Sequence, residues 1–95
     1  MEIKKPEYIV TIAEERSVTR AAARLYLTRP ALSHYLLALE SELGAPLFRR
    51  TRSGLEPTEL GEAYIRGAQR VLDAVRQTQK ELDDINGCVS GTLRI

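Results

Sequence analysis

Six side chains are spaced so that they could do chemistry together: Arg29, Ser33 and His34 on one stretch, and Arg49, Arg50 and Arg52 within four positions on another. The chemistry they suit is recognition. A guanidinium presents a planar fork of N–H donors that fits paired acceptors on a base edge or the oxygens of a phosphate. A serine one helical turn beyond such a fork can donate to a phosphate oxygen. Catalysis fits poorly. His34 is the single histidine and Cys88 the single cysteine, and no serine, cysteine or paired carboxylate stands near His34 in a nucleophile pattern. A lone histidine is ordinarily solvated or satisfied, and His34 reads as a contact residue beside Ser33. No metal-ligand cluster and no phosphate-binding glycine loop occurs in the chain, so no catalytic or metal site is expected.

Elements must hold these groups in place, and the stretch from Ser17 to Leu43 supplies two of them. It reads as two short amphipathic helices joined by a tight turn. Thr19 is expected to cap the first helix and Thr28 the second, each hydroxyl accepting an orphaned backbone N–H. Ala21 and Ala22 are small enough for another helix to approach closely, and with Leu25 they form a buried stripe, leaving Arg20 and Arg24 in water. Tyr26 and Leu27 carry the chain around the turn. Pro30 falls in the first turn of the second helix, where its missing N–H has no partner to lose. Leu32, Leu36, Leu39 and Leu43 recur every three or four residues on one face, and Arg29, Ser33, His34 and Glu40 lie off it. Such a layout is that of a helix-turn-helix, whose second helix enters the major groove of DNA.

The residues Ser17, Thr19, Ala21-Ala22, Leu25, Pro30-Ala31-Leu32-Ser33, Leu39-Glu40, Leu43-Gly44, Leu47-Phe48, Arg50, Thr58 and Gly61 resemble, in ungapped spacing, the N-terminal domain of LysR-type transcriptional regulators. Arg29 stands where that family most often has glutamine, Pro6 where it usually has leucine and Ile9 where it usually has phenylalanine. The resemblance implies a mainly α winged helix-turn-helix of three helices and a two-stranded wing, followed by a long dimerisation helix. It also implies that Arg29 faces bases, with Thr28, Pro30, Ala31, Ser33, His34, Arg50 and Arg52 as further DNA contacts. Pro30 and Ala31 serve the first turn of the helix and could also touch thymine methyls or sugar. Arg50 has two readings, a structural one in which it pairs with a carboxylate or a helix end, or a DNA contact, whereas Arg52 at the wing tip suits the minor groove or phosphate.

The remaining elements follow from pattern. A first helix is expected within Ile3–Glu15, with Tyr8, Ile9, Ile12 and Ala13 inward. Gly44 suits the left-handed residue that ends a helix, and Pro46 blocks continuation. Residues 47–58 read as a wing turning around Ser53-Gly54, with Pro57 confined to a short or edge strand. From Thr58, a capping residue, a long helix is expected to run to Asn86-Gly87. Along it Leu60, Tyr64, Ala68, Val71, Val75, Thr78, Leu82 and Ile85 form a heptad-like seam. A helix of roughly 40 Å is too long to hide that seam against so small a domain, so the seam is expected to face the same helix of a second copy. The four tyrosines, Tyr8, Tyr26, Tyr35 and Tyr64, are expected in core or interface rather than as base-stacking platforms.

The organisation is thus a winged helix-turn-helix over 1–58, a linker helix over 59–87 and, at 88–95, the first strand of a further domain. The resemblance implies that this domain senses a small-molecule inducer and that full-length members are often tetramers. Net charge is only +1, but residues 1–58 hold nine Lys and Arg against seven Asp and Glu, and residues 59–95 five against six. Local clustering therefore matters more than the total. One cysteine and the lack of a signal-peptide pattern point to a reducing cytoplasm, and no apolar run reaches the ~18 residues of a membrane span. The expected partners are promoter DNA and a second copy of the chain. An adaptor module that docks protein instead is the rival reading, and the basic wing counts against it.

Overall fold

The computed structural model describes residues 3–89. Its elements are α1 (Pro6–Glu15), α2 (Val18–Arg24), α3 (Arg29–Leu43), the antiparallel strands β1 (Phe48–Thr51) and β2 (Gly54–Pro57), and α4 (Glu59–Val89). Pro6 opens α1 at a position where a proline loses no hydrogen bond, which is why the helix starts there and not at Ile3. Ile9, Val10 and Ile12 of α1 are buried, while Tyr8 and Ala13, expected inward, are only half-buried against the same core.

Ser17, not Thr19, caps α2. Its extended backbone (φ −158°) lets Oγ accept the Arg20 N–H at 3.1 Å. Thr19 is already the second residue of the helix, so its backbone is helical and not the extended one a cap uses. The C-terminal end of α2 closes through two tight bonds, Leu27 N–H to the Ala22 carbonyl at 2.8 Å and Tyr26 N–H to the Ala23 carbonyl at 3.2 Å. This arrangement requires a left-handed residue between them, and Tyr26 supplies it at φ 59°. Of the two places expected for Tyr26, the core is excluded for the same reason: the tight turn throws its ring outward, 95% exposed.

Thr28 caps α3, accepting the Ala31 N–H at 3.2 Å, with Pro30 in the first turn. Leu32, Leu36 and Leu39 are buried, and Gly44 ends the helix at φ 83°. Glu40 does not join the polar flank. Its carboxylate turns back to accept the Leu47 N–H at 2.7 Å, satisfying the backbone where the chain leaves α3 for the wing. Ile9, Ile12, Leu32 and Leu47 are the largest fully enclosed side chains, and Ala21, Ala22, Phe48 and Leu55 close around them.

The seam on α4 divides in two. Tyr64 and Ala68 are buried in this chain's own core, and Leu60 packs against it. The heptad-like spacing assigns these three to a dimer interface; the first turns of α4 lie against α1 and β2 instead and use the seam up. Beyond Leu72 the helix leaves the core, and Val75, Leu82 and Ile85 are more than half exposed, with Val71 at the margin. The helix continues through Asn86-Gly87 to Val89 rather than stopping there. The strand expected over Gly91–Ile95 lies outside the described residues.

Candidate nucleic-acid interface

Register decides which arginines of the wing are available. Arg49 pairs with Glu56 across the ladder and Arg50 with Leu55, so the two arginines project from opposite faces. On one face Arg49 reaches Glu56 at 3.7 Å. On the other, Arg50 is exposed beside buried Leu55 and has no ion pair among the described residues. The structural reading of Arg50 therefore loses its partner. Arg52 and Ser53 form the two-residue turn, which Thr51 braces by donating its hydroxyl to the Gly54 carbonyl at 2.7 Å and accepting the Ser53 N–H at 3.2 Å.

The whole wing is anchored on the corner between α1 and α2. Arg16, left-handed at φ 59°, offers its carbonyl to the Leu55 N–H at 2.9 Å and its guanidinium to Glu56 at 3.0 Å. The approach is so close that a Cβ on residue 54 would lie 2.6 Å from the Arg16 carbonyl oxygen, and Gly54 has φ 110° besides. Glycine answers both demands. The tip carrying Arg52 is thereby fixed relative to the helix pair.

Arg16, Arg20, Arg29, Arg50, Arg52, Ser17 and Ser53 line one open cleft of about 340 Å³ between the start of α2, the start of α3 and the wing. No carboxylate borders it. Beside the cleft, Arg24 is paired: it lies 2.6 Å from Glu14 and 3.2 Å from Glu15, and its hydrogen bonds to Glu14, then Glu15, push its pKa up. Within the lining itself Arg16 pairs with Glu56 at 3.0 Å, and Arg20 lies 3.7 Å from the Glu15 carboxylate and bonds the Glu15 carbonyl at 2.8 Å. Arg29, Arg50 and Arg52, by contrast, are exposed and have no carboxylate partner among the described residues. Three unpaired cations around a concave surface attract an anion bearing several charges along its length.

Of the other expected contact residues, Thr28, Pro30, Ala31 and His34 are exposed on the first two turns of α3 and Ser33 is half-buried. All sit on the helix that bears Arg29, next to the cleft. One exposed residue of this surface, Leu37, is missed by the sequence pattern of polar flank and leucine stripe. Its signal is present all the same: it steps out of the stripe that carries Leu32, Leu36 and Leu39.

Comparison with known proteins points the same way. Residues 3–62 match the family described as bacterial regulatory helix-turn-helix protein, lysR family. The chain is 46% identical over 72 residues to the HTH-type transcriptional regulator BudR of Klebsiella aerogenes, covering 76% of this chain and 50% of that protein. It is 41% identical over 86 residues to the regulator PgrR of Escherichia coli K12, covering 90% of this chain and 29% of PgrR. The chain thus spans half or less of the length of these two relatives. Among solved structures, the BenM_DBD complex with catB site 1 DNA superposes with a TM-score of 0.78 at 33% identity, covering 90% of this chain and 94% of that one. The CbnR_DBD–DNA complex gives a TM-score of 0.73 at 29% identity over 90% of this chain and 98% of its own.

Proposed function

The chain belongs to the lysR family of bacterial regulatory helix-turn-helix proteins, and on that premise we propose that it reads double-stranded promoter DNA for a transcriptional regulator. The observation that carries this is the cluster of unpaired arginines on one cleft. Carboxylates hold Arg24 and Arg49, while Arg29, Arg50 and Arg52 stand unpaired around a cleft without acidic groups. In the docking this supports, α3 lies in the major groove. Arg29 offers its fork to the N7 and O6 acceptors of guanine. Pro30, Ala31 and His34 face base edges or sugars, and Ser33 donates to phosphate. Thr28 keeps its own hydroxyl proton for a phosphate while capping the helix. Arg50 takes the backbone, and Arg52 on the braced wing tip takes the minor groove or phosphate.

A homodimer belongs to the same reading. Val75, Leu82 and Ile85 are apolar side chains on a part of α4 that has left the core, with Val71 at its margin, and a second α4 running antiparallel would cover them. Two winged units held in this way would read an interrupted dyad. Assembly into tetramers, an inducer and action in the cytoplasm belong to the proposal at the level of the longer regulators. No helix of the described residues is long and apolar enough to cross a membrane.

The test is selection from a pool of random-sequence duplexes at about 150 mM salt, where sequence-independent phosphate binding is weakened. The reading expects enrichment of a two-part site with a fixed spacing. Retention without any sequence preference, or none at all, would refute it.

A further inference from the structure

Leu37 is 65% exposed, and it lies on the reading helix. An isolated exposed leucine needs no explanation in itself; this one is distinguished by its place. At about 100° per residue, Leu37 projects within about 20° of Pro30, with Ser33 about 40° to one side and His34 about 60° to the other. The buried leucines Leu32, Leu36 and Leu39 project about 100° to 160° away from it. Leu37 therefore occupies the middle of the flank that also bears Pro30, Ser33 and His34, all of them outside the core.

We propose that Leu37 is a specificity-determining residue that reads a thymine through its 5-methyl group. The inference rests on the proposed binding mode and adds a reader to it. The 5-methyl of thymine is the apolar group that a base pair presents in the major groove, so it is what an isobutyl side chain on this flank would match. Leu37 is about two-thirds exposed in its own chain, and burying it against a methyl removes apolar surface of both from water. A cytosine or guanine at that position would instead have a polar edge desolvated by a side chain that returns no hydrogen bond. Seven residues at ~1.5 Å each separate Leu37 from Pro30 by about 10 Å along the helix.

The experiment uses this chain and the best duplex recovered from the random pool, resynthesised with single thymines replaced by deoxyuridine, which lacks only the methyl. At one position per half-site the parent should lose affinity roughly fourfold, the effect of about one buried methyl. Leu37→Ala should bind the thymine duplex more weakly and show no thymine–deoxyuridine difference at that position, while Leu37→Met should restore the difference. A parent indifferent to every replacement overturns the inference while leaving the DNA-binding reading intact. So does a penalty that persists unchanged in Leu37→Ala, which would place the methyl against another residue. A pool from which nothing is enriched overturns the binding mode and the inference with it.

Discussion

Two glycines on α4 have opposite surroundings, and alanine at each should change stability in opposite directions. Intrinsic propensity alone favours alanine by about 1 kcal/mol at both. At Gly61 a Cβ would lie 1.9 Å from the Leu47 carbonyl oxygen, 2.9 Å from its carbon and 3.3 Å from the Pro57 Cβ. The obstacle is backbone, so α4 and the start of the wing must separate by about an ångström or more to reach ordinary contact distances. The same carbonyl accepts the Thr58 N–H at 2.9 Å, and that bond stretches with it. Overpacking of ~1–3 kcal/mol and loss of ~1 kcal/mol of hydrogen bonding outweigh the propensity gain. Gly61→Ala should therefore destabilise the fold by about 1–3 kcal/mol. At Gly67 the nearest atom to a Cβ is the end of the Arg70 side chain at 3.9 Å, so Gly67→Ala should stabilise by about 1 kcal/mol. Thermal unfolding followed by circular dichroism, at one fixed protein concentration, should split the two variants by more than about 8 °C. Equal midpoints, or Gly61→Ala above the parent, would refute the close approach of α4 to Leu47.

Ser17→Ala should lower stability by about 1 kcal/mol and Thr19→Ala by only a few tenths, because only Ser17 caps α2; urea unfolding of the pair checks it. Val75→Asp should place an unpaired charge on the exposed stripe of α4 and shift the chain toward monomer, read by light scattering; an unchanged dimer would remove that stripe from the interface. Burial holds the Tyr35 and Tyr64 phenols above their ordinary pKa, so the folded chain keeps these protons more tightly than the unfolded one. Their stabilising effect is complete below pH ~10 and falls as pH rises beyond it. Melting temperatures followed from about pH 8 to about pH 11 should drop at the alkaline end, and less for Tyr64→Phe, whose parent hydroxyl has no hydrogen-bond partner among the described residues.

The elements and their order were legible because their signals are local. A leucine every three or four residues, Thr28 before Pro30, Gly44 before Pro46 and Thr58 before two glutamates each specify a boundary within a few positions. Signals that depend on what lies across the fold were not legible. Serine and threonine both serve as caps, and the extended backbone at residue 17 places the cap at Ser17 rather than Thr19. The α4 seam has one period throughout, so nothing in its spacing reveals that Tyr64 and Ala68 face the chain's own α1 while Val75 and Leu82 do not. Tyrosines are often buried in cores, yet Tyr26 is a left-handed turn residue and stands almost wholly outside this one. The availability of Arg50 as against Arg49 rests on strand register, which places Glu56 on one face of the hairpin. Asn86-Gly87 carries the composition of a helix end, but glycine in a helix costs only about 1 kcal/mol and does not enforce one.

That register makes the central claim directly measurable. Affinity for the selected duplex should be followed from about 50 to about 200 mM salt for the parent and for Arg49→Ala, Arg50→Ala and Arg52→Ala. Removing one phosphate-neutralising cation reduces the slope of log K against log salt by about one. Arg50→Ala and Arg52→Ala should each show this reduction, and Arg49→Ala, whose parent side chain is held by Glu56 at 3.7 Å, should retain the parental slope. Slopes that fall equally for all three, or for none, would contradict the account.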